Sequence, residues 1–228
     1  MPNLSGFRIR SPNPIRERVY SHLRKAVLSG RIPTNERLVE AQLALQLGTS
    51  RTPIREALHK LELENLVSSI PRVGYVVKGL SEEDVNDICE IRSVIEGLAV
   101  KKAISQITEK NLERLRKNIE ETRRAIHEKR MDRMVVFDTE FHDVLCQSSG
   151  SKRIHELSQL LREYMLKFRI ECLRVPEIAS KAALAHERIF QAICERNLTK
   201  AQTSIDDHLR EVREDIINYY RSADKSHA

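Results

Sequence analysis

The sequence predicts a mainly α-helical protein with two parts: three helices plus a β-hairpin, then an all-α antiparallel helical bundle. Apolar residues recur at helical spacing along most of the chain. Glycine and proline are concentrated in the first 79 residues, and only Gly97, Gly150 and Pro176 lie beyond them. Residues 1–78 hold 13 Lys+Arg against 6 Asp+Glu, while the remainder holds 26 against 27. The excess positive charge of the first part indicates a polyanion-binding module, although a solvated basic face would have the same composition.

Composition also limits the class of protein. No apolar run approaches the roughly 18 residues of a membrane span, and the N-terminus lacks the apolar segment of a signal peptide. We therefore expect a cytoplasmic protein without a membrane partner. None of the four cysteines forms a CxxC pair, which disfavours a thiolate zinc site.

The basic part begins with a helical pattern over residues 15–29, which Gly30 ends. A second helix is predicted over residues 38–47. A third follows in TSRTPIREALHKLELENLV, with Ser50 or Thr49 at its N-cap and Pro53 in its first turn. The stretch LVSSIPRVGYVVKG predicts two short strands around a turn.

A tight turn between the second and third helices, with arginines at the start of the third, is typical of a winged helix-turn-helix. The N-terminus of such a helix enters the major groove of DNA. Arg51 and Arg55 share one helical face, and arginine can bond guanine or phosphate bidentately. Ser50 and Thr52 can bond phosphate, and Arg72 can reach the backbone or minor groove. Two arginines on a helix can also be simply solvated.

The stretch GRIPTNERLVEAQLALQLGTSRTPIREALHKLELENLVSSIPRVGYVV resembles the winged-helix domain of GntR-type bacterial transcription regulators. The resemblance covers residues 15–78, and SRTPIREAL is its most specific part. It implies DNA contacts at seven positions, namely Arg37, Ser50, Arg51, Thr52, Arg55, Arg72 and Gly74. Asn35 and Asn65 stand where the family usually has glycine, and asparagine tolerates the left-handed backbone that glycine adopts there.

The second part predicts six helices, at about 81–105, 108–129, 131–148, 151–174, 177–196 and 198–221. Short connections between them imply antiparallel neighbours and therefore a bundle. The predicted organisation is a flexible tail over 1–14, a DNA-binding domain over 15–78, a helical effector, metal-binding and dimerisation domain over 79–222, and a tail over 223–228.

Four polar residues lie on apolar helical stripes of this bundle. Asp138 and His142 are one turn apart in FDTEFHDVL, while His186 and His208 lie on stripes of two later helices. Buried without partners, each neutral polar group would cost on the order of 2–7 kcal/mol. Imidazole and carboxylate suit a divalent metal, with zinc or nickel favoured and manganese or iron possible. A histidine–carboxylate hydrogen-bond network without metal explains the same pattern.

Residues 82–222 resemble the helical ligand-binding (FCD) domain of the FadR branch of the family, in its six-helix, VanR-like variety. The signature is an acid-x3-His in one helix and single histidines in two later helices. Asp138, His142, His186 and His208 match it. In such domains the metal commonly helps to hold a small carboxylate effector, so the resemblance implies a divalent metal ion as cofactor.

Arg92 lies among isoleucines in DICEIRSVIEG and needs an anionic partner. The partner is Glu96, or an acidic residue of another helix, or the carboxylate of an effector, and the last option matches the family's pattern. Arg162, Tyr164 and Arg169 are further candidates for the wall of a ligand cavity.

These observations predict a DNA-binding transcriptional regulator, most simply a repressor. It would act as a homodimer on a pseudo-palindromic double-stranded operator, under the control of a small organic acid. A regulator that responds to the metal ion itself would use the same residues. A metal-dependent hydrolase is disfavoured, because Glu140 and Glu187 lie off the ligand face and a DNA-binding domain would be unexplained.

Overall fold

A computed structural model of the protein describes residues 15–225, so the predicted tail 1–14 and residues 226–228 lie outside the described part. The chain divides into two compact units, one ending at Gly79 and the other beginning at Leu80. None of the helices within residues 15–225 combines the length and apolar character that crossing a membrane would require.

The first unit consists of three helices and a small antiparallel sheet. Its elements are α1 (Ile15–Leu28), β1 (Arg37–Leu38), α2 (Glu40–Gln46), α3 (Arg51–Leu63), β2 (Val67–Ile70) and β3 (Gly74–Val77). The predicted helices and hairpin are confirmed. The hairpin strands pair from Val67 with Val77 to Ile70 with Gly74, and β1 adds to the other edge of β3. β1 was missed because two residues are too few for a strand pattern.

The core of the first unit follows the helical period of α3. Ile54, Leu58 and Leu61 of this helix are fully buried. α1 packs against them with its own apolar stripe, which includes Leu23 and Val27. The opposite face of α3 therefore stays in solvent, where its polar residues are free to meet a partner.

Asn35 and Asn65 each form a tight turn at a position where the family usually has glycine. Asn35 has φ 67° and Asn65 has φ 62°, both in the left-handed region. Asn65 directly follows the C-cap of α3 at Glu64. Their replacement of glycine thus leaves the turn geometry intact, as predicted.

The second unit is entirely helical within the described residues. Its elements are α4 (Glu82–Gln106), α5 (Glu109–His127), a 3-10 turn (Met131–Arg133), α6 (Met134–Ser148), α7 (Lys152–Tyr164), α8 (Leu166–Cys172), α9 (Pro176–Cys194) and α10 (Leu198–Lys225).

The single helix predicted over 151–174 is instead two, because the backbone leaves helical geometry at Met165, with φ −86° and ψ 2°. The described unit thus has seven α-helices where the six-helix variety was expected. α10 continues to Lys225, so a tail does not begin at 223.

The bundle packs around α6, α9 and α10. Phe141, Leu145, Ile189, Ile205 and Leu209 are fully or almost fully buried in one apolar cluster. α10 packs along α4 and α9, and α6 packs against α4, α5 and α7. This arrangement brings the inward faces of four helices, α4, α6, α9 and α10, towards one region.

Gly74→Ala should lower the free energy of unfolding by about 2–3 kcal/mol. The backbone at Gly74 has φ 114°, and an added Cβ would lie 2.9 Å from the carbonyl oxygen of Leu38. Urea unfolding of the full chain, followed by circular dichroism, measures the change.

Gly48→Ala is the matched control, because its φ is 60° but nothing lies within 4 Å of the added Cβ. It should lower the free energy of unfolding by only about 1–2 kcal/mol. Equal losses in the two variants would mean that the approach to Leu38 is unimportant.

Candidate metal centre and nucleic-acid interface

Four side chains from three helices converge on one buried point. α6 provides Asp138 and His142, α9 provides His186 and α10 provides His208. One possible ligand atom from each residue lies within 4.8 Å of all the others. The structure thus brings together all four residues that the sequence proposed as metal ligands.

The distances between these atoms fit ligands around one ion, and the contact between the Nε2 atoms of His142 and His208 is also within hydrogen-bond range. The Nε2 atoms of His142 and His208 are 3.3 Å apart. Asp138 Oδ1 lies 3.6 Å from Nε2 of His186 and 3.8 Å from Nε2 of His142, too far for hydrogen bonds. Ligands about 2.1 Å from a tetrahedral ion would be about 3.4 Å apart.

Three ring nitrogens of the cluster make no hydrogen bond among the described residues, namely Nδ1 of His142, Nε2 of His186 and Nδ1 of His208. Nε2 of His186 is buried and makes no hydrogen bond there. A buried polar atom without a partner is unusual and destabilising. A cation at the shared point would engage this nitrogen together with the other three atoms, so the residues present fit a divalent metal.

A second layer of side chains orients the ligand atoms. The Arg169 guanidinium on α8 pairs with Oδ2 of Asp138, which leaves Oδ1 facing the histidines. Glu96 on α4 lies with Oε2 2.6 Å from Nδ1 of His142. The His186 ring stacks on Phe141, with ring centroids 4.0 Å apart and planes 3° from parallel.

Burial and neighbouring charges keep Asp138 ionised and keep His186 and His208 neutral. Burial by itself raises the pKa of Asp138, but the charge of the Arg169 guanidinium holds this pKa well below its usual value. Burial and the neighbouring His142 lower the pKa of His186 to about 3. Burial likewise holds the pKa of His208 well below its usual value. Carboxylate and neutral imidazole are the protonation states that a metal ion binds.

A narrow cavity of about 30 Å³ adjoins the cluster, with Asp138 and His208 in its wall. Arg92 and Arg169 also line it, and Lys181 pairs with Asp215 at 3.0 Å in the same wall. The volume accommodates a water-sized group or a carboxylate, so a larger ligand would have to move the lining side chains.

Arg92 pairs with Glu96, which is one of the partners proposed from the sequence. Its Nε donates to Oε1 of Glu96 at 3.0 Å, and both side chains are buried. Arg92 nevertheless lines the cavity, so Glu96 and an effector carboxylate both remain within reach. Arg162, by contrast, pairs with Asp143 and is not in the cavity wall.

Sequence reasoning missed the roles of Arg169 and Glu96 in this site. Arg169 was one of three unplaced cavity candidates, and Glu96 was considered only as a partner for Arg92. The apolar stripe of α4 carries a signal for Glu96, because it lies four residues after the inward-facing Arg92. Nothing in the sequence connects it with His142, which lies on another helix.

The predicted DNA-contacting residues lie at the start of α3 and around the hairpin. Ser50, Arg51, Thr52 and Arg55 are exposed there, as are Arg37 and Arg72 on the sheet side. Ser50 occupies the N-cap position without a side-chain capping bond. The backbone N–H groups of the first turn are a typical site for phosphate.

Two of these arginines have partners within the unit. Arg37 donates from Nε to the carbonyl oxygen of Val73 at 2.6 Å, which ties β1 to the hairpin turn. Arg55 forms two hydrogen bonds to Glu40, of 2.9 Å and 2.8 Å, while its side chain remains 68% exposed. Arg72 at the turn has φ 64°, and Gly74 begins β3.

Comparison with known proteins assigns both parts of the chain. The model for "Bacterial regulatory proteins, gntR family" matches residues 15–77, and the FCD domain model matches residues 87–211. The chain belongs to the GntR family. It is a DNA-binding transcriptional regulator with an FCD domain, and its relatives are regulators rather than enzymes.

Two full-length relatives illustrate the similarity. The chain is 31% identical over 206 residues to the uncharacterized HTH-type transcriptional regulator YdhC of Bacillus subtilis. The match covers 90% of this chain and 92% of YdhC. It is 27% identical over 206 residues to the HTH-type transcriptional repressor RspR of Escherichia coli, which covers 89% of each. Among solved structures, E. coli McbR/YncC shares the fold, with a TM-score of 0.74 at 20% identity over 92% of this chain and 100% of that one.

The chelator-treated GntR protein should lose stability as the pH falls from about 6.5 towards 3. In this range the unfolded chain binds a proton at His186, whereas the folded chain, with a His186 pKa of about 3, does not. Protonation therefore favours unfolding. Thermal unfolding at several pH values measures the slope.

His186→Asn should flatten this pH dependence, although His208 contributes in the same direction. The same slope in the variant and in the wild type would mean that neutral His186 does not support the fold.

Proposed function

We propose that this GntR regulator is a repressor whose operator affinity is controlled by a small organic acid bound beside a divalent metal ion. Asp138, His142, His186 and His208 would hold the ion, zinc or nickel by preference, with manganese or iron as further candidates. The bound ion would supply a Lewis-acidic position for one oxygen of the acid. Repression is favoured because the full-length relative RspR is named a transcriptional repressor.

The charge balance of the buried site carries the proposal. Two carboxylates, Asp138 and Glu96, are neutralised by two guanidiniums, Arg92 and Arg169, and all four residues are buried. A divalent ion would add two uncompensated positive charges to a buried region. An anion would offset this charge, and the adjoining cavity provides a place for it.

The cavity also supports a regulator that responds to an acid over one that responds to the metal ion itself. An ion that acts as the signal by itself needs ligands but no adjoining space lined by basic side chains. Arg92 and Arg169 line such a space here, together with Lys181 and the carboxylates of Asp138, Glu211 and Asp215. The two guanidiniums favour a carboxylate effector. Arg92 is the proposed clamp, because it can exchange part of its contact with Glu96 for the acid.

The proposed operator contact uses the N-terminal turn of α3 and the hairpin. Arg51 and Arg55 would meet base edges or phosphates, with Ser50 and Thr52 on phosphate. Arg37, Arg72 and Gly74 would bring the hairpin close to the backbone. The exposure of the arginines and the +7 charge of residues 1–78 support this assignment.

We further propose that the chain acts as a homodimer. Ile91, Val94 and Leu98 follow one face of α4 and are exposed, Val94 by 74%. An apolar stripe of this kind on a single copy indicates a protein partner. A second copy of the same domain would pair two identical DNA-binding units, which implies a pseudo-palindromic operator.

Selection from random double-stranded DNA should return an inverted repeat, because two identical units bind two half-sites. Arg51→Ala should weaken binding to the selected DNA by about 1–3 kcal/mol, since Arg51 lies at the start of the exposed face of α3. Fluorescence anisotropy measures the affinity.

Lys60→Ala is the matched control, because it removes the same charge from the last turn of the same helix. It should leave the preference for the selected site nearly unchanged. Equal effects of the two substitutions would indicate only nonspecific attraction to the basic unit, and a selected site without internal symmetry would contradict the dimer.

A panel of small mono-, di- and hydroxycarboxylates should raise the melting temperature of zinc- or nickel-loaded protein but not of chelator-stripped protein. The same acid should weaken binding to the selected DNA. Arg92→Lys should lower the affinity for the acid at least about tenfold while keeping the shift due to metal, because lysine cannot form the bidentate contact.

Stabilisation by metal with no response to any acid would instead favour a regulator that senses the ion. His142→Ala should abolish the shift due to metal. If the wild-type protein binds neither zinc nor nickel, the metal part of the proposal is wrong.

A further inference from the structure

The two oxygen atoms of the Glu96 carboxylate contact different groups in the buried site. Its side chain is fully buried on α4. Oε1 accepts from Nε of Arg92 at 3.0 Å and from the hydroxyl of Ser158 at 3.3 Å. Oε2 faces Nδ1 of His142 at 2.6 Å. One carboxylate thus contacts both a proposed metal ligand and the proposed effector clamp.

The short contact to His142 determines where a proton must lie. An ionised carboxylate is only an acceptor, so a bare Nδ1 would place two acceptor atoms 2.6 Å apart, closer than their ordinary contact distance. The orientation of the ring gives neither atom a regular hydrogen bond, so it is the short distance that indicates the proton. Oε1 of Glu96 pairs at 3.0 Å with the guanidinium of Arg92, which is always charged, so the carboxylate is ionised. Nδ1 of His142 therefore carries a proton. Its Nε2, 3.3 Å from Nε2 of His208, remains the atom that faces the proposed ion.

We propose that Glu96 is a positioning residue that sets the tautomer of His142 and links it to Arg92 through one shared carboxylate. The part of this inference that concerns metal binding rests on the proposed function. The part that concerns the proton on His142 rests on the contacts of Glu96 alone. A hydrogen bond from the second nitrogen of a histidine to a carboxylate fixes the ring and raises its basicity as a ligand. Since Arg92 shares that carboxylate, the ion and the acid would each affect the binding of the other.

Glu96→Gln tests the inference with almost no change in side-chain shape. Glutamine offers one oxygen and one NH2 group, whereas Arg92 and Ser158 on one side and His142 on the other all require an acceptor. The amide oxygen should face Arg92 and Ser158, which provide two donors. The NH2 group then faces His142 and favours a bare Nδ1, which moves the proton to Nε2.

The first measurement uses chelator-stripped full-length protein and long-range 1H–15N correlation spectra of the histidine rings. Wild-type His142 should carry a proton on Nδ1, and the Glu96→Gln variant should carry it on Nε2. A bare Nδ1 in the wild type, or an unchanged proton position in the variant, overturns the proposal. A merely structural role of Glu96 would not move this proton.

The second measurement is zinc affinity by competition with a chromophoric chelator. Glu96→Gln should weaken zinc binding about 10- to 100-fold, because the ligand nitrogen is then protonated. Glu187→Gln is the matched control, since this glutamate adjoins His186 in sequence but pairs with Arg123 at the surface. Unchanged zinc affinity in Glu96→Gln, or an equal loss in both variants, overturns the link to the metal.

Each measurement tests a different part of the proposal, so one part can be contradicted while the other holds. If the wild-type protein binds no zinc, the metal proposal fails, and the ring spectra still decide whether Glu96 sets the tautomer of His142.

Discussion

The helical unit depends on the pairing of charges that water cannot reach. Arg92, Glu96, Asp138 and Arg169 are all buried, and an unpaired charge at such a depth costs several kcal/mol. Glu96 therefore contacts Arg92, and Asp138 contacts Arg169. The first contact lies within α4 and the second connects α6 with α8, while the contact of Glu96 with His142 joins α4 to α6. The electrostatic centre of the unit is therefore also the place where its helices are held in register.

The same pairing explains how this site could respond to a ligand. The two arginines beside the cavity are neutralised by protein carboxylates, so a carboxylate from solution would compete for them. A ligand can shift a conformational equilibrium only by its difference in affinity between two states. Arg169 lies on the short helix α8, which the break at Met165 separates from α7. Its release from Asp138 would therefore affect a short helix that is not continuous with its neighbour.

The DNA-binding unit is organised differently. Its core is apolar, built on Ile54, Leu58 and Leu61, and the residues that we propose to contact DNA remain outside that core. Left-handed backbone at Asn35 and Asn65 provides the tight turns between short elements. Arg55 pairs with Glu40 at the surface. Breaking such an exposed ion pair costs little free energy, so Arg55 can exchange Glu40 for a phosphate group.

The sequence by itself determined the order of helices, the hairpin and the four residues of the buried cluster. Periodicity is local, so an apolar stripe reveals within each helix that Asp138, His142, His186 and His208 face inward. Tertiary structure alone decided that Glu96 meets His142, that Arg169 meets Asp138, and that the helix breaks at Met165, where neither glycine nor proline marks a boundary. The spacing of a stripe specifies which face is buried, whereas the partner across the core depends on how distant helices pack.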